Sequence, residues 1–208
     1  GGDAEARLLW SSRSTFKQAI PQSQLYSTGT PASVAGSGIG LKGDYFTGRE
    51  FGTRVLTRVD STVNFDWASG APAPEVGAND FAVRWTGLIE TLYTGQYTFH
   101  TISDDGVRLW IDNQLIINNW TDHGATENSG QIALTAGKKY AVRMEFYENG
   151  GDAVAKLLWS SPAQAKEVIP TSQLYPSQGI GLYAQYFDNQ DLTAPKLSRV
   201  DNAINFDW

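Results

Sequence analysis

The stretch "GQYTFHTISDDGVRLWIDNQLII", residues 95–117, decides the fold class. Apolar residues occupy every second position from Val107 to Ile111, and this period of two predicts a strand with one buried face. Arg108 and Trp110, which lie between them, are expected on the opposite face. Residues 112–114, Asp-Asn-Gln, separate this run from the next and predict a tight hairpin.

The same alternation occurs in "DFAVRWTGLIE", residues 80–90, and in "KKYAVRMEFYE", residues 138–148. The chain is 41% hydrophobic and 12% aromatic, and it contains 21 glycines, a composition typical of all-β domains. We therefore expect an antiparallel β-sandwich or a distorted barrel. Only "PAQAKEV", residues 162–168, indicates a short helical turn.

The chain also repeats itself. "GGDAEARLLWSS" at residues 1–12 returns as "GGDAVAKLLWSS" at 150–161, and "RVDSTVNFDW" at 58–67 returns as "RVDNAINFDW" at 199–208. Matches this long and in the same order favour tandem whole domains. The alternative is one domain with a chance internal duplication.

The order of the repeated motifs predicts the domain limits. Residues 1–26 match the end of a preceding repeat, and residues 27–37 form a linker rich in Ser, Thr, Gly and Ala. Residues 38–175 contain one copy of every motif and are expected to form a complete domain. Residues 179–208 match the beginning of a following repeat.

Composition excludes several classes of function. The net charge is −6 and no block of Lys or Arg occurs, so we expect no nucleic-acid partner. No apolar run approaches the roughly 20 residues that span a membrane. The absence of Cys excludes disulfides, Cys-based zinc sites and a Cys nucleophile. No nucleophile motif or phosphate-binding loop occurs, and Glu90, Glu145 and Glu148 lie in or at the end of amphipathic strands, so we expect no enzymatic activity.

Asp104 and Asp105 are the first candidates for a binding site. Neighbouring side chains of a strand point to opposite faces, so adjacent carboxylates share one ion only where the backbone departs from strand geometry. A loop closed by Gly106, or a cis peptide, would provide this departure. Ca²⁺ takes six to eight oxygen ligands, and paired carboxylates suit it. The alternative is a solvated turn. Because close carboxylates repel, we expect removal of Asp105 to leave the metal-free fold nearly unchanged in stability.

A second candidate is the loop "YENGGDA", residues 147–153. Glu148, Asn149 and Asp152 offer oxygen atoms around two glycines. The alternative is a hairpin turn, which Asn-Gly favours.

A third candidate is "NNWTDHGATEN", residues 118–128. Trp120 can present a ring face to a sugar, and His123 can donate a hydrogen bond. The alternative is that Trp120 packs on the core, since Trp is mostly buried.

Together these motifs resemble a known family. "GLKGDYFTGREF", "VNFDW", "FAVRWTGLIE", "YAVRMEFYENGGDAVAKLLWSS" and "IPTSQLY" occur in the order and spacing of the protective-antigen-like (PA14) domain, across residues 38–175. The resemblance implies a β-sandwich. In lectin-like members an Asp-Asp pair joined by a cis peptide binds Ca²⁺, which coordinates sugar hydroxyls. The matching positions are Asp104 and Asp105, with Asn149 as the nearest match to a third ligand.

We therefore expect a Ca²⁺-dependent carbohydrate-binding module of a repetitive extracellular protein, secreted or on the cell surface. Its predicted metal ligands are Asp104, Asp105 and Asn149, and Trp120 and His123 are further predicted contacts to the sugar. The predicted partners are glycans and neighbouring repeats of the same protein. Two alternatives stay open: a structural spacer or filament-forming repeat of an adhesin, and an accessory domain of a polysaccharide-degrading enzyme.

Overall fold

The computed structural model describes residues 9–12, 15–19, 36–177, 182–188, 193 and 196–201. Within this part of the chain nearly all regular structure is β. The strands are β1 Leu9–Ser12, β2 Thr15–Ala19, β3 Leu41–Thr47, β4 Arg54–Asp60, β5 Asn64–Ala68, β6 Phe81–Glu90, β7 Gly95–Asp104, β8 Val107–Ile111, β9 Gln114–Asn119, β10 Thr126–Leu134, β11 Lys139–Glu148, β12 Ala153–Ser161, β13 Gln164–Val168, β14 Leu174–Pro176, β15 Leu182–Tyr186 and β16 Leu197–Asp201. A single 3₁₀ turn, Thr171–Gln173, is the only helical segment among these residues.

The chain divides into two compact units, residues 1–34 and residues 35–208. Strands β1 and β2 form a hairpin in the first unit. The second unit contains two larger sheets and the β15–β16 hairpin.

The two larger sheets are antiparallel throughout and form a sandwich. One has the strand order β4-β3-β6-β11-β8-β9, and β14 pairs with β6 beyond the end of β3. The other has the order β10-β7-β12, and β13 and β5 share the remaining edge of β12. Over the described residues neither sheet closes on itself. The sandwich prediction is therefore confirmed, and the distorted barrel is not formed.

The core lies between the inner faces of these sheets. Val107, Leu109 and Ile111 are fully buried, as the alternation predicts, whereas Arg108 and Trp110 are only partly buried on the outer face. The largest buried side chains are aromatic and aliphatic: Trp85, Trp159, Tyr45, Tyr97, Phe81, Phe99, Phe146, Leu41, Ile89, Leu109, Ile111 and Met144. Seven of these twelve side chains are aromatic, which accounts for much of the high aromatic content of the sequence.

The helical turn predicted for residues 162–168 is wrong. Gln164–Val168 is strand β13, and it pairs with β12 from Leu158↔Val168 to Ser161↔Gln164. The edge of β12 offers unpaired backbone N–H and C=O groups, and pairing with β13 satisfies them. Tertiary pairing thus overrides the weak local preference of this short segment.

The repeated motifs form hairpins of matching register. Leu9↔Ala19 in β1–β2 corresponds to Leu158↔Val168 in β12–β13, and both hairpins carry an irregularity at the same position. Leu182↔Asp201 in β15–β16 corresponds to Leu41↔Asp60 in β3–β4. Equivalent sequences therefore take equivalent local structures, while the domain limits given above stay a prediction.

Of the eight connections between β3 and β14 that cross from one sheet to the other, three are important for the site: the links from β7 to β8, from β9 to β10 and from β11 to β12. Residues 149–152 are therefore not the hairpin turn that Asn-Gly favours, because β11 and β12 belong to different sheets. All three connections carry residues that the sequence indicates as candidates for a binding site.

Candidate metal and carbohydrate site

The β7–β8, β9–β10 and β11–β12 connections meet around Asp105. Its Oδ1 accepts a hydrogen bond from the backbone N–H of His123 at 2.8 Å. Its Oδ2 accepts one from the backbone N–H of Asn149 at 2.9 Å. Asp105 is only 5% exposed. The Asp105 carboxylate therefore links the β9–β10 and β11–β12 connections to the β7–β8 connection. The sequence does not reveal this structural role.

The peptide bond between Asp104 and Asp105 is cis. Asp104 ends β7 and is partly exposed. Burial and the neighbouring carboxylate of Asp105 raise the pKa of Asp104 above its ordinary value, and the charge of Asp152 acts in the same direction. The two carboxylates are thus held near each other at the end of the sandwich.

Gly106 is required for a reason other than the freedom of the turn. A Cβ at this position would lie 2.2 Å from Cε1 of Tyr147. The Tyr147 ring therefore packs directly on the backbone of Gly106, and any larger residue would displace it. Gly106 is not in the left-handed region of backbone conformation.

Glu148 is a third acidic residue at this place. It is the last residue of β11 and is fully buried. One carboxylate oxygen from each of Asp104, Asp105 and Glu148 lies within 4.8 Å of the others. Burial, together with the charges of Asp105 and Asp104, raises the pKa of Glu148 to about 8. Neither of its oxygen atoms has a hydrogen-bond partner. The backbone N–H groups of Gly150 and Asp105 act in the opposite direction and lower this pKa, although neither N–H has hydrogen-bonding geometry with the carboxylate.

Asp122 organises the outer part of the site. Its Oδ1 accepts a hydrogen bond from the Tyr147 hydroxyl at 2.7 Å, and its Oδ2 accepts one from Nδ2 of Asn149 at 2.8 Å. Arg49 lies 3.6 Å from the same carboxylate. Asp122 therefore fixes the amide of Asn149, the predicted third ligand.

Trp120 lies beside the core rather than within it. It is partly buried, and its ring meets Tyr147 edge-on at 4.6 Å between centroids. Phe51 stacks on it at 6.0 Å, and the guanidinium of Arg108 lies 3.9 Å from its centroid. Trp120 thus supports the ring of Tyr147, and its contact with a sugar stays a prediction.

His123 contributes its backbone to the site. Its ring Nδ1 lies 2.9 Å from the carbonyl oxygen of Gly124, so Nδ1 carries the proton. Its Nε2 is buried and has no partner. The hydrogen bond from this ring to a sugar stays a prediction.

The other acidic residues considered for catalysis have structural partners. Glu145 is buried and pairs with Arg84 at 2.9 Å and with Arg108 at 2.7 Å. Glu90 accepts a hydrogen bond from the hydroxyl of Tyr175. These contacts give both carboxylates a role in holding strands together.

The candidate ligands suit a hard cation. Carboxylate and amide oxygens are the groups that Ca²⁺ prefers, and the cluster offers three carboxylates with the amide of Asn149 nearby. The sequence predicts Asp104, Asp105 and Asn149 as the ligands, and the structure brings these residues together. Their binding of an ion stays a prediction. The sequence prediction omits Asp122 and does not count Glu148 as a ligand.

Comparison with known proteins identifies the family. The sequence profile described as "PA14 domain" matches residues 37–173. The chain belongs to the PA14 domain family. The family predicted from the motifs is therefore confirmed.

Relatives of this PA14 protein include proteins titled anti-sigma factors and a domain from an adhesin. The anti-sigma-I factor RsgI3 of Acetivibrio thermocellus is 46% identical over 180 residues, which cover 83% of this chain and 28% of the relative. A solved "anti-sigma factor domain-containing protein" is 46% identical, with a TM-score of 0.67, over 82% of this chain and 62% of that one. The structure titled "PA14 sugar-binding domain from RTX adhesin" is 19% identical, with a TM-score of 0.55, over 66% of this chain and 98% of that one. This third likeness concerns the fold alone.

The chain thus spans little more than a quarter of the length of RsgI3. In the part of the chain that the structure describes, no helix has the length and apolar character needed to cross a membrane.

Proposed function

We propose that this PA14 domain binds Ca²⁺ at Asp104 and Asp105 and that the bound ion holds the hydroxyl groups of a glycan. The observation that supports the proposal is the convergence of the Asp104 and Asp105 carboxylates where the β7–β8, β9–β10 and β11–β12 connections meet.

The chemistry follows from the coordination number of the ion. Ca²⁺ takes six to eight oxygen ligands at about 2.3–2.6 Å. Asp104, Asp105 and the amide of Asn149 supply only part of this number, so positions are left for two neighbouring hydroxyls of a sugar. Trp120 and His123 lie on the connection from β9 to β10 and would contact the rest of the sugar.

We also propose an extracellular location. Calcium sites of extracellular modules work at dissociation constants of about 10⁻⁴–10⁻³ M, which suits calcium concentrations outside the cell better than those inside.

A glycan array tests the proposal directly. The chain is applied to neutral and acidic glycans in calcium and in chelator, and we expect binding in calcium only. Asp104→Asn should lose this binding, because it removes a charged ligand whose side chain is only partly buried. Asp112→Asn is the matched control, since Asp112 is exposed in the β8–β9 turn at the other end of β8.

Two outcomes would contradict the proposal. Glycan binding that persists in chelator would show that the ion is not required for binding. Calcium binding by calorimetry without binding to any glycan would favour the structural spacer, in which the ion only stiffens the domain.

A second proposal concerns the protein to which the domain belongs. The identity of 46% with an anti-sigma-I factor favours a regulator of this class, in which the PA14 domain would be the part that detects carbohydrate. The complete coding sequence tests this. A segment similar to the remainder of RsgI3 supports the regulator, whereas adhesin repeats or a catalytic domain would support the alternatives.

A further inference from the structure

The described part of the molecule contains five buried carboxylates, and four of them have evident partners. The five are Asp44, Asp60, Asp105, Glu145 and Glu148. A buried carboxylate without a partner is costly, so each of these residues raises the question of what compensates its charge.

Three of the five are compensated by cations. Asp44 lies 3.0 Å from Nζ of Lys42. Asp60 lies 2.6 Å from Nε of Arg58 and also accepts hydrogen bonds from Tyr45 and Trp85. Glu145 lies between two arginine side chains.

Asp105 is the fourth, and the backbone N–H groups of His123 and Asn149 compensate it. Glu148 differs from all four. Both of its oxygens are buried, neither has a hydrogen-bond partner, and no Lys or Arg of the described residues pairs with it. Its neighbours are instead the carboxylates of Asp104 and Asp105, within 4.8 Å.

The position of Glu148 on β11 explains why its side chain is directed toward the Asp pair. Val142, Met144, Phe146 and Glu148 share the inward parity of β11, and the first three are core residues. Glu148 therefore continues the core face of the strand and ends beneath the Asp pair. The strand thus directs a carboxylate from the core into the site.

We propose that Glu148 is a third carboxylate ligand of the cation and that this cation is the partner its side chain lacks. The inference rests on the proposed calcium site at Asp104 and Asp105. It adds that the ion is bound from the core side as well as from the connections, so that loading the site joins the end of β11 to the β7–β8 corner.

Three carboxylates also set the charge of the site. Ligand charge count is one of the factors that tune calcium affinity, so the neutral isostere Glu148→Gln should weaken Ca²⁺ binding by about 100-fold. Glu148→Asp keeps the charge but is one methylene shorter, and its affinity should lie between those of the wild type and Glu148→Gln.

The test is calorimetric titration of the chain with CaCl₂ alone, after treatment with chelator and without any glycan. Glu75→Gln is the matched control, because it makes the same change of charge at an exposed position. We expect Glu75→Gln to bind calcium like the wild type. Melting in chelator is a second measurement, and there Glu148→Gln should unfold at the wild-type temperature or above it, because the buried carboxylate has no partner to lose.

The outcomes separate this inference from the proposed function. If the wild type binds Ca²⁺ and Glu148→Gln binds within threefold of it, Glu148 is not a ligand and the Asp-pair site stands. If Glu148→Gln unfolds well below the wild type in chelator, its carboxylate stabilises the fold without an ion and the inference is wrong. If the wild type binds no Ca²⁺, the proposed site itself fails, and the role of Glu148 fails with it.

Discussion

Replacing Asp105 by Ala should destabilise the metal-free protein, contrary to the expectation from sequence. Asp105 accepts hydrogen bonds from the backbone N–H groups of His123 and Asn149, at 2.8 and 2.9 Å, and is 5% exposed. Hydrogen bonds to a charged group contribute about 1.5–3 kcal/mol each, which gives roughly 3–6 kcal/mol for the two. Relief of the repulsion from Asp104 offsets part of this loss.

We therefore expect a net loss of about 2–4 kcal/mol for Asp105→Ala. For a domain of about 140 residues, 1 kcal/mol corresponds to roughly 3 °C in Tm, so the transition should fall by about 6–12 °C. Asp104→Asn is the control. Its side chain is partly exposed and its pKa is raised, so the charge there adds no stability to the fold, and this variant should melt close to the wild type.

The measurement is thermal unfolding in chelator, followed by circular dichroism. A fall in Tm of less than about 2 °C for Asp105→Ala would show that the two hydrogen bonds contribute little, and the expectation from sequence would then be correct. An equal fall for Asp104→Asn would show that loss of any acid here disturbs the corner, which would also refute the argument.

Three further predictions follow from the site. Calcium at a hundredfold excess over Kd should stabilise the wild type by about 2.7 kcal/mol in scanning calorimetry and should leave the Tm of Asp104→Asn unchanged. Equal increases in Tm for the two proteins would show that calcium binds at a different site. Gly106→Ala should cost about 1–3 kcal/mol in urea unfolding, because its Cβ would overlap the Tyr147 ring, and adding Tyr147→Ala should recover part of the loss. In chelator, stability should fall as pH rises from near 4.5 to about 8, because folding raises the pKa of Glu148 beside Asp104 and Asp105, and the folded state therefore holds a proton that the unfolded state has released. Urea midpoints at pH 5 and pH 8.5 check this sign, and Glu148→Gln should flatten the dependence.

The sequence predicts the sandwich well because its strands are long and regularly alternating. The buried faces of β6, β8 and β11 follow from a period of two, and the turns at Asp112 and Asn113 follow from residues that tolerate positive φ. Strand β13 is missed for the opposite reason. Its five residues have little apolar character, and it forms because the edge of β12 is available.

The sequence predicts the candidate site only in part. Residues that are adjacent in the chain can be recognised as a pair, but residues that are distant in the chain and meet only in the folded structure cannot. Asp104 and Asp105 stand out as neighbours. Asp122 does not, since it lies in an irregular connection and acts through Tyr147 and Asn149, which are 25 and 27 residues away. No local pattern encodes such contacts. They arise when the connections between sheets come together.

Glu148 shows that a usable signal was nevertheless present. The alternation through Val142, Met144 and Phe146 gives position 148 an inward direction, and an acid at an inward position requires compensation. The alternation along β11 therefore predicts that the carboxylate of Glu148 is buried, but it does not predict which group this carboxylate contacts. The Asp104–Asp105 pair completes that argument, because it brings two more carboxylates, rather than a basic side chain, to the same place. Three acids that converge without a cationic side chain are the arrangement that a bound cation would stabilise, and this is why the metal titration of Glu148→Gln tests the site more sharply than substitution of the pair itself.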